Sequence, residues 1–444
     1  MKAAAQLKPH DEAPRPPHPL FKALAESLET VATQACGLLI GIPMLAITAR
    51  WLGPHGRGVF VTTTTWAGLT ATCCGFSLGL VAIHEMGRLS DEDVGALLGT
   101  LLVFVAGETF LAWCLLLTAH RFDRRLFGDI NGGALILGIS SIPFLILKDY
   151  VGALLIAQNR VVVWNRAQLA GTLLSFMLAV GLAAEALITI DRIIMAWLCG
   201  QILVCGISFS DVRRRATSWS FRKHLARSLI SGGYKLHINA IGSIAISSID
   251  VLMVNSFVGA QGVGYYQLAL KLATNLAVIA QAVGTVTYGR VVAFGPDGSW
   301  ALIRRICVIT MGLVIAIALL AAWFAPLIVD VVAGRSFAPS VPLFRLMLLA
   351  VPGLSIGYLM TPQWICRGYF WQAGGLTLLV AGANALGNWL LVPRYGALGA
   401  ALSFIMVYIL SILANGAMFG FCEWRWRHSG AQPVVPTRAV FTAR

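Results

Sequence analysis

The sequence predicts an all-α polytopic membrane protein with about 12 transmembrane helices, arranged as two pseudo-symmetric six-helix bundles around a central cavity. Three observations support this fold class. The 444 residues are 58% hydrophobic and only 12% charged, with a mean hydropathy of +0.78. Apolar runs of roughly 20 residues, long enough to cross a bilayer, recur along the whole chain. A glycine-rich corner also occurs twice, half the chain apart.

The apolar runs divide the chain into helices, loops and tails. The candidate helices cover residues 28–49, 59–82, 93–118, 132–156, 163–187, 193–210, 229–257, 263–290, 304–328, 339–361, 371–392 and 396–421. They define an N-terminal bundle (28–210) and a C-terminal bundle (229–421). A basic cytoplasmic linker (211–228) joins the bundles, and cytoplasmic tails (1–27 and 422–444) flank them.

The charge distribution predicts the orientation of the helices. A formal net charge of +14 would suggest nucleic-acid binding in a soluble protein, but no nucleic-acid motif accompanies these charges. Lys and Arg instead concentrate in alternate loops, most densely between Asp211 and Ser228. Because basic loops stay on the cytoplasmic side, both termini are expected inside the cell. The polar N-terminus lacks the apolar segment of a signal peptide.

The repeated corner predicts how the two bundles are related. Gly53, Gly56 and Gly58 follow the first predicted helix, and Gly259, Gly262 and Gly264 follow the seventh at the same spacing. Glycine suits a tight interhelical turn because it adopts positive φ without steric cost. An even number of helices separates the corners, so the halves form a parallel repeat about an axis along the membrane normal.

Polar residues inside the apolar helices predict a pathway. Lys235, Asn239, Ser243, Ser247 and Asp250 recur on one face of the seventh helix. Charges within a membrane are costly and usually face protein or water. Lysine also binds phosphate as a point charge. We therefore expect a wet, cationic cavity that accepts an anionic, phosphorylated substrate. The candidate substrate-binding residues are Arg50, Lys148, Lys235, Lys271 and Arg345.

Three acidic residues, Glu108, Asp149 and Asp250, are candidates for coupling transport to protons or sodium ions. Structural alternatives exist for several of these charges. Lys235 could extend its ammonium to the interface, Lys148 and Asp149 could form a buried structural pair, and Asp250 could cap a neighbouring helix.

The sequence carries no constellation typical of an enzyme. The histidines show no metal-ligand spacing, and none of the nine cysteines forms a CxxC pair. No nucleotide-binding motif occurs, so ATP is not expected to drive this chain directly. We predict a protein that is not an enzyme and that needs no metal or organic cofactor.

Three motifs resemble the polysaccharide-transporter family, the Wzx-type flippases of the multidrug/oligosaccharidyl-lipid/polysaccharide superfamily. The first is "RWLGPHGRG" at residues 50–58. The second is "DVLMVNSFVGAQGVGYYQLALK" at residues 250–271, and the third is "PRYGALGAA" at residues 393–401. The positions that match the family are Arg50, Gly53, Gly56, Gly58, Asp250, Gly259, Gly264, Tyr266 and Lys271.

The resemblance implies a function. Such proteins move undecaprenyl-pyrophosphate-linked oligosaccharides across the bacterial inner membrane by alternating access, for surface polysaccharide, exopolysaccharide or O-antigen synthesis. It also implies contact with membrane lipids, action as a monomer, and association with polysaccharide polymerase and glycosyltransferase machinery.

Two other functions remain open at this point. A multidrug exporter of the same superfamily would need an acidic cavity, whereas the intramembrane charges lean basic. An integral-membrane polysaccharide polymerase or ligase would need a large outer loop, and the longest predicted outer loop is only "HRFDRRLFGDING", residues 120–132.

Overall fold

A computed structural model describes residues 19–86, 94–214 and 219–428. Side chains are described within these ranges except at residues 19–32, 34, 35, 235, 238, 239, 243, 245, 247 and 293. The predicted tails beyond residues 18 and 428, and the centre of the predicted linker, lie outside the described residues.

The described residues form helices and connecting turns without a β-strand, as the fold class predicts. The first lobe contains α1 (Pro19–Cys74), α2 (Leu78–Met86), α3 (Val94–Phe122), a 3₁₀ helix (Arg124–Leu126), α4 (Gly132–Ala157), α5 (Val161–Ala184) and α6 (Ile190–Arg213). The second lobe contains α7 (Lys223–Val258), α8 (Ala260–Leu276), α9 (Val278–Phe294), α10 (Trp300–Trp323), α11 (Ala325–Ala333), a 3₁₀ helix (Arg335–Phe337), α12 (Ser340–Leu348), α13 (Val351–Cys366), α14 (Phe370–Tyr395) and α15 (Ala397–His428).

The helix α1 is two membrane passes joined at Gly53. Its 56 residues would extend about 84 Å as one straight helix, far more than the roughly 30 Å hydrocarbon core. Gly53 interrupts the helix with φ 65° and ψ −178°, and Pro54 follows, where its missing N–H costs nothing at a helix start. Gly259 separates α7 from α8 with nearly the same angles, φ 88° and ψ 178°.

The two glycine corners pack directly against each other. A β-carbon on Gly58 would overlap the carbonyl oxygen of Ala260, and a β-carbon on Gly264 would overlap that of Pro54. These contacts exchange under the repeat, since Gly58 corresponds to Gly264 and Pro54 to Ala260. Such reciprocity is the mark of a two-fold axis, which passes between the corners. We call this side of the molecule the corner end, and the side where α6 ends and α7 begins the linker end.

The observed helices agree with about twelve passes. By length and composition alone, nine described helices could cross a membrane, or ten when the bent pair α12–α13 counts as one span. That count treats both passes of α1 as one helix. Of α7 it includes only Ser248–Val258, as a shorter apolar helix, because several side chains before Ser248 are not described. The difference from the sequence prediction therefore comes from how the passes of α1 and α7 are counted.

Several predicted helices are broken where the sequence suggested continuity. The second predicted helix, 59–82, is interrupted between Cys74 and Leu78, where Phe76 and Ser77 have φ of 45° and 55°. The eighth is interrupted at Ala277, and the tenth bends by 41° between α12 and α13. The short helix α11 precedes this bent pair and was not predicted.

Two apolar cores, one in each lobe, hold the bundles together. Large apolar side chains also point outward, including Trp371 (92% exposed), Phe122 (86%) and Trp323 (79%). A soluble domain rarely carries so much exposed apolar surface. Acyl chains would cover it in a bilayer.

The lobes also meet towards the linker end, where α7 crosses α2. A β-carbon on Gly233 would lie 2.6 Å from the carbonyl oxygen of Phe76, and one on Gly232 would lie 2.8 Å from Val81. The Ser228 hydroxyl donates a hydrogen bond to Glu85 (2.7 Å). Small residues thus let α7 approach the break between α1 and α2 closely.

Candidate functional site

The polar residues of the interior gather around two cavities, one in each lobe. The second-lobe cavity has a volume of about 410 Å³. It is lined by Gly37, Leu38, Lys271, Thr274, Asn275, Val278, Gln281, Leu354, Tyr358 and Tyr408. The first-lobe cavity has a volume of about 300 Å³, and its lining includes Ser77, Asp149, Tyr150, Trp164 and Ala240. The two cavities differ in the sign of their charged group.

Lys271 supplies the positive charge of the second-lobe cavity. Its side chain is exposed to the cavity, and its ammonium has no hydrogen-bond or ion-pair partner among the described residues. Thr274, Asn275 and Gln281 follow it along α8 and α9 and make the lining polar. A free ammonium beside hydroxyl and amide groups is suited to an anion with several oxygen acceptors.

Arg57 lies behind Lys271 and was missed by the sequence analysis. Its side chain is only 6% exposed, and it donates a hydrogen bond to the hydroxyl of Thr48. Its Nε atom has no partner, and no carboxylate lies within ion-pair distance in the described part of the chain. Its positive charge acts on Lys271. A buried guanidinium without a counter-ion is costly, so an anion between Arg57 and Lys271 would relieve two unpaired charges.

The sequence did contain a signal for Arg57. It lies inside the first glycine corner, whereas the second corner has Val263 at the equivalent position. Thr65 likewise occupies the first-lobe position that corresponds to Lys271. The repeat therefore preserves the corner glycines but not the cations, since Arg57 of the first lobe and Lys271 of the second lobe both lack a basic counterpart.

Asp149 supplies the negative charge of the first-lobe cavity. Its carboxylate opens into the cavity and has no hydrogen-bond or ion-pair partner among the residues that the structure describes. Trp164 lies on the same wall, and its ring fits against Gly152, where a β-carbon would come within 2.7 Å. A carboxylate beside an aromatic ring suits a cation better than an anion.

Glu108 lies behind the wall of this first-lobe cavity. It is 5% exposed, and its two carboxyl oxygens lie 2.6 and 2.8 Å from the hydroxyl of Tyr150. The same hydroxyl lies 2.6 Å from the carbonyl oxygen of Gly75. Glu108 is thereby connected to the break between α1 and α2.

Asp250 belongs to a buried network in the second lobe. It is 3% exposed and accepts hydrogen bonds from the hydroxyl of Tyr266 (2.6 Å) and the amide of Asn384 (2.9 Å). Asn384 in turn accepts hydrogen bonds from Asn388 and Ser403. The network joins α7, α8, α14 and α15 and does not reach either cavity lining.

The remaining predicted basic residues are not brought together. Lys148 donates a hydrogen bond to Gln201 of α6 (2.9 Å) and lines neither cavity. Arg50 donates to the carbonyl oxygens of Val331 and Val332, and so satisfies the C-terminal end of α11. Arg345 donates to the carbonyl oxygen of Ala322 (3.1 Å) in an outward-facing groove with Leu319 and Trp323. The side chain of Lys235 lies outside the described residues.

This arrangement differs from the single cationic chamber that the sequence analysis expected. Helical spacing located the charges along each helix but could not fix which neighbouring carbonyl or amide each long side chain would reach. Among the predicted corner glycines, Gly58 and Gly264 allow the backbones of the two corners to come close together, as described above. Within the described ranges, no group of three His, Cys, Asp or Glu side chains could hold a metal ion.

Sequence comparison with known proteins matches parts of the chain. Proteins described as "Polysaccharide biosynthesis protein" match residues 141–342, a little under half of the chain. An uncharacterized membrane protein of Methanocaldococcus jannaschii is 23% identical over 207 residues, which is 43% of this chain and 38% of that protein. The chain thus spans well under half of this curated relative.

Solved structures show the same fold over nearly the whole chain. The lipid II flippase MurJ in an inward closed conformation superposes with a TM-score of 0.73 at 14% identity, and covers 91% of each chain. A multidrug resistance MATE transporter in an inward-facing conformation gives a TM-score of 0.65 at 14% identity, over 90% of this chain and 98% of that one.

The fold is therefore the one that the MurJ and MATE structures share. The match of residues 141–342 to polysaccharide biosynthesis proteins agrees with the resemblance to polysaccharide transporters that the corner motifs indicated. The proteins in these two solved structures are a flippase and a transporter rather than enzymes.

Proposed function

We propose that this protein is a flippase that moves undecaprenyl-pyrophosphate-linked oligosaccharide repeat units across the bacterial inner membrane for surface polysaccharide, exopolysaccharide or O-antigen synthesis. The observation that carries the proposal is the free ammonium of Lys271 in a polar cavity, with the uncompensated guanidinium of Arg57 behind it. The superfamily fold and the match to polysaccharide biosynthesis proteins support the same substrate class.

The pyrophosphate is the part of the substrate that these two cations would bind. Phosphate oxygens would accept hydrogen bonds from Lys271, and the buried positive charge of Arg57 would add electrostatic attraction. A cavity of about 410 Å³ is within the range that holds a drug-sized ligand, enough for a pyrophosphate and its first sugar. The polyprenyl tail would remain among the acyl chains, which have the same polarity.

The two-fold axis between the corners suits transport by alternating access, in which the two lobes move relative to each other about that axis. We infer that the linker end faces the cytoplasm, because the basic linker belongs inside by the positive-inside rule. In the present conformation the corners are packed together at the opposite side. Transport would require the corners to separate while the contact between α7 and α2 holds the lobes together towards the linker end, which would carry the pyrophosphate from one leaflet to the other.

The protein would act as a monomer within a larger pathway. Glycosyltransferases must supply its lipid-linked substrate on the cytoplasmic face, and a polymerase must consume the product outside. Both kinds of enzyme are therefore candidate partners of its exposed loops.

The substrate site can be tested with Lys271→Ala and Lys271→Arg in cells that lack the chromosomal copy of the gene. Loss of the cation should reduce glycan export about tenfold or more and cause the lipid-linked intermediate to accumulate on the inner leaflet, since a charge-assisted hydrogen bond contributes roughly 1.5–3 kcal/mol. Lys271→Arg should retain most export. Arg335→Ala, which removes an exposed arginine outside both cavities, serves as the control. Normal export by Lys271→Ala would show that the cationic site is not used.

A multidrug exporter remains the second candidate because of one observation. Asp149 and Trp164 give the first-lobe cavity an anionic, aromatic wall that suits an organic cation. Deletion of the gene should then increase sensitivity to cationic drugs without changing the surface glycan. Accumulation of a lipid-linked intermediate with unchanged drug sensitivity would favour the flippase.

A further inference from the structure

The hydroxyl of Tyr150 lies within hydrogen-bond distance of more acceptors than its one hydrogen can serve. The Tyr150 hydroxyl lies 2.6 Å from the Gly75 carbonyl oxygen and 2.6 Å from Oε2 of Glu108. A hydroxyl carries one hydrogen, and a carbonyl oxygen can only accept. If Tyr150 donates to Gly75, the short contact to Glu108 needs a hydrogen from the carboxyl group. The geometry is satisfied when Glu108 is a neutral carboxylic acid that donates to the Tyr150 oxygen.

The surroundings of Glu108 contain no compensating cation among the described residues. Tyr150 of α4 and Cys74 of α1 are the titratable groups that act on it. The other ionisable groups near this part of the lobe are directed elsewhere: Asp149 into the cavity, Lys148 to Gln201, Glu85 to Ser228, and His237 to Cys73 and Ser77. Because an unpaired buried carboxylate is costly, the neutral form is also the one that this site accommodates.

The Gly75 carbonyl lies at a strained joint between α1 and α2. Phe76 and Ser77 follow it with φ of 45° and 55°, values that cost a non-glycine residue of order 1–3 kcal/mol each. Tyr150 holds this joint from the first lobe. His237 holds it from the second lobe, with Nε2 2.9 Å from the Cys73 carbonyl oxygen and Nδ1 3.2 Å from the Ser77 hydroxyl. Side chains from both lobes therefore form hydrogen bonds with the residues of this joint.

Protons can reach Glu108 through the first-lobe cavity. Gly75, Ser77, Asp149 and Tyr150 all line that cavity, and Glu108 is hydrogen-bonded to the far side of the Tyr150 hydroxyl. Only one side chain separates the carboxyl group from the cavity. Asp149 opens into the same space and can pass a proton from water to the tyrosine.

We propose that Glu108 is a proton-binding site and that its occupancy controls the joint between α1 and α2. With the proton bound, the carboxyl group donates to Tyr150, and Tyr150 donates to Gly75. When Glu108 releases the proton to the cavity, the Tyr150 hydrogen turns to the carboxylate and the Gly75 carbonyl loses this partner. The strained joint is then free to relax, and with it the contact between α2 and α7. The assignment of this step to glycan transport rests on the proposed function, whereas the proton site itself does not.

Infrared difference spectroscopy on the purified full-length protein in lipid nanodiscs tests the proton site. A pH jump from acid to alkali should remove the carbonyl stretch of a neutral carboxylic acid in the wild type. The same signal should be absent from Glu108→Gln, an isosteric variant that can still donate to Tyr150. If the carboxyl signal is unchanged by Glu108→Gln, Glu108 neither binds nor releases a proton over this pH range and the proposal is overturned.

Hydrogen–deuterium exchange tests the coupling between that proton and the joint. After correction for the intrinsic pH dependence of exchange, residues 73–80 of the wild type should lose protection about tenfold at high pH, which corresponds to one hydrogen bond. Glu108→Gln should keep the protection at every pH, and Tyr150→Phe should lack it at every pH. Equal, pH-independent protection in all three proteins would refute the coupling. Neither measurement requires transport, so failure of the flippase assignment would be seen separately.

Discussion

Single residues in this protein show how a buried polar group is stabilised or left available. Asp250 is surrounded by donors, since Tyr266 and Asn384 each donate to one of its oxygens. Lys271 and Asp149, in contrast, extend unpaired into cavities. A satisfied carboxylate maintains structure, and an unsatisfied charge is available for a ligand. Hydrogen-bond partners therefore separate the structural charges from the candidate ligand-binding ones better than depth in the membrane does.

The structural role of Asp250 predicts the effect of Tyr266→Phe. Removal of the hydroxyl leaves one carboxylate oxygen without its donor in a buried site, which should reduce the free energy of unfolding by about 1–3 kcal/mol. Thermal unfolding in detergent would measure the change as a lower midpoint temperature. Tyr265→Phe is the matched control. Its hydroxyl only accepts from the amide of Gln261 at an exposed position, so it should change stability by less than about 0.5 kcal/mol. Equal midpoints for both variants would contradict this role.

At the scale of helices, glycine allows the two corners to approach each other. The backbone turns at Gly53 and Gly259 in a conformation that L-amino acids with a side chain rarely adopt. Gly58 and Gly264 then leave room for a carbonyl oxygen from the opposite corner. One glycine of each corner thus forms the turn, and another lets that corner pack against the other lobe.

The corner contact predicts that Gly58→Ala is destabilising. The added methyl group would overlap the Ala260 carbonyl, and overpacking of this kind costs roughly 1–3 kcal/mol. We expect a lower unfolding midpoint and reduced export, because the closed arrangement of the corners can no longer form. Gly312→Ala provides the control, since nothing lies within 4 Å of its added β-carbon. A midpoint for Gly58→Ala equal to that of the control would mean that the corners tolerate separation.

At the scale of the whole molecule, the two lobes have the same helix connectivity, but their cavities differ in the sign of the charged residue. The second-lobe cavity carries Lys271, and the first-lobe cavity carries Asp149. The two glycine corners meet on the two-fold axis between the lobes. The joint between α1 and α2 forms hydrogen bonds with side chains of both lobes. An anionic substrate and a proton would therefore be handled on opposite sides of the axis, with the moving contacts in between.

The proposed orientation predicts the outcome of cysteine labelling in whole cells. With the exposed Cys36 and Cys114 replaced by Ser, His55→Cys at the corner end should react with a membrane-impermeant thiol reagent. Ser220→Cys at the linker end should react only after the cells are permeabilised. The reverse pattern would show that the protein is inserted with its linker end outward.

The general fold could be predicted from the sequence because hydropathy and the repeated corner are properties of long segments. The predicted all-helical fold with two bundles is confirmed, and polysaccharide biosynthesis proteins match residues 141–342. The candidate site was less accessible. Arg50 and Arg345 have long side chains that reach backbone carbonyls of other helices, and such contacts depend on rotamers and packing. Arg57 was overlooked because it lies within a turn rather than on a polar helical face.

The reciprocal fit of the corners has a consequence for how such a chain can change through evolution. If the halves arose by duplication of one ancestral gene, Gly58 and Gly264 must be retained together, since each makes room for the other half. Positions such as Arg57 and its counterpart Val263 face no such mutual requirement and are free to diverge. After such a duplication, one half can specialise in binding the substrate and the other in binding the proton. The contact between the two corners would meanwhile remain symmetric.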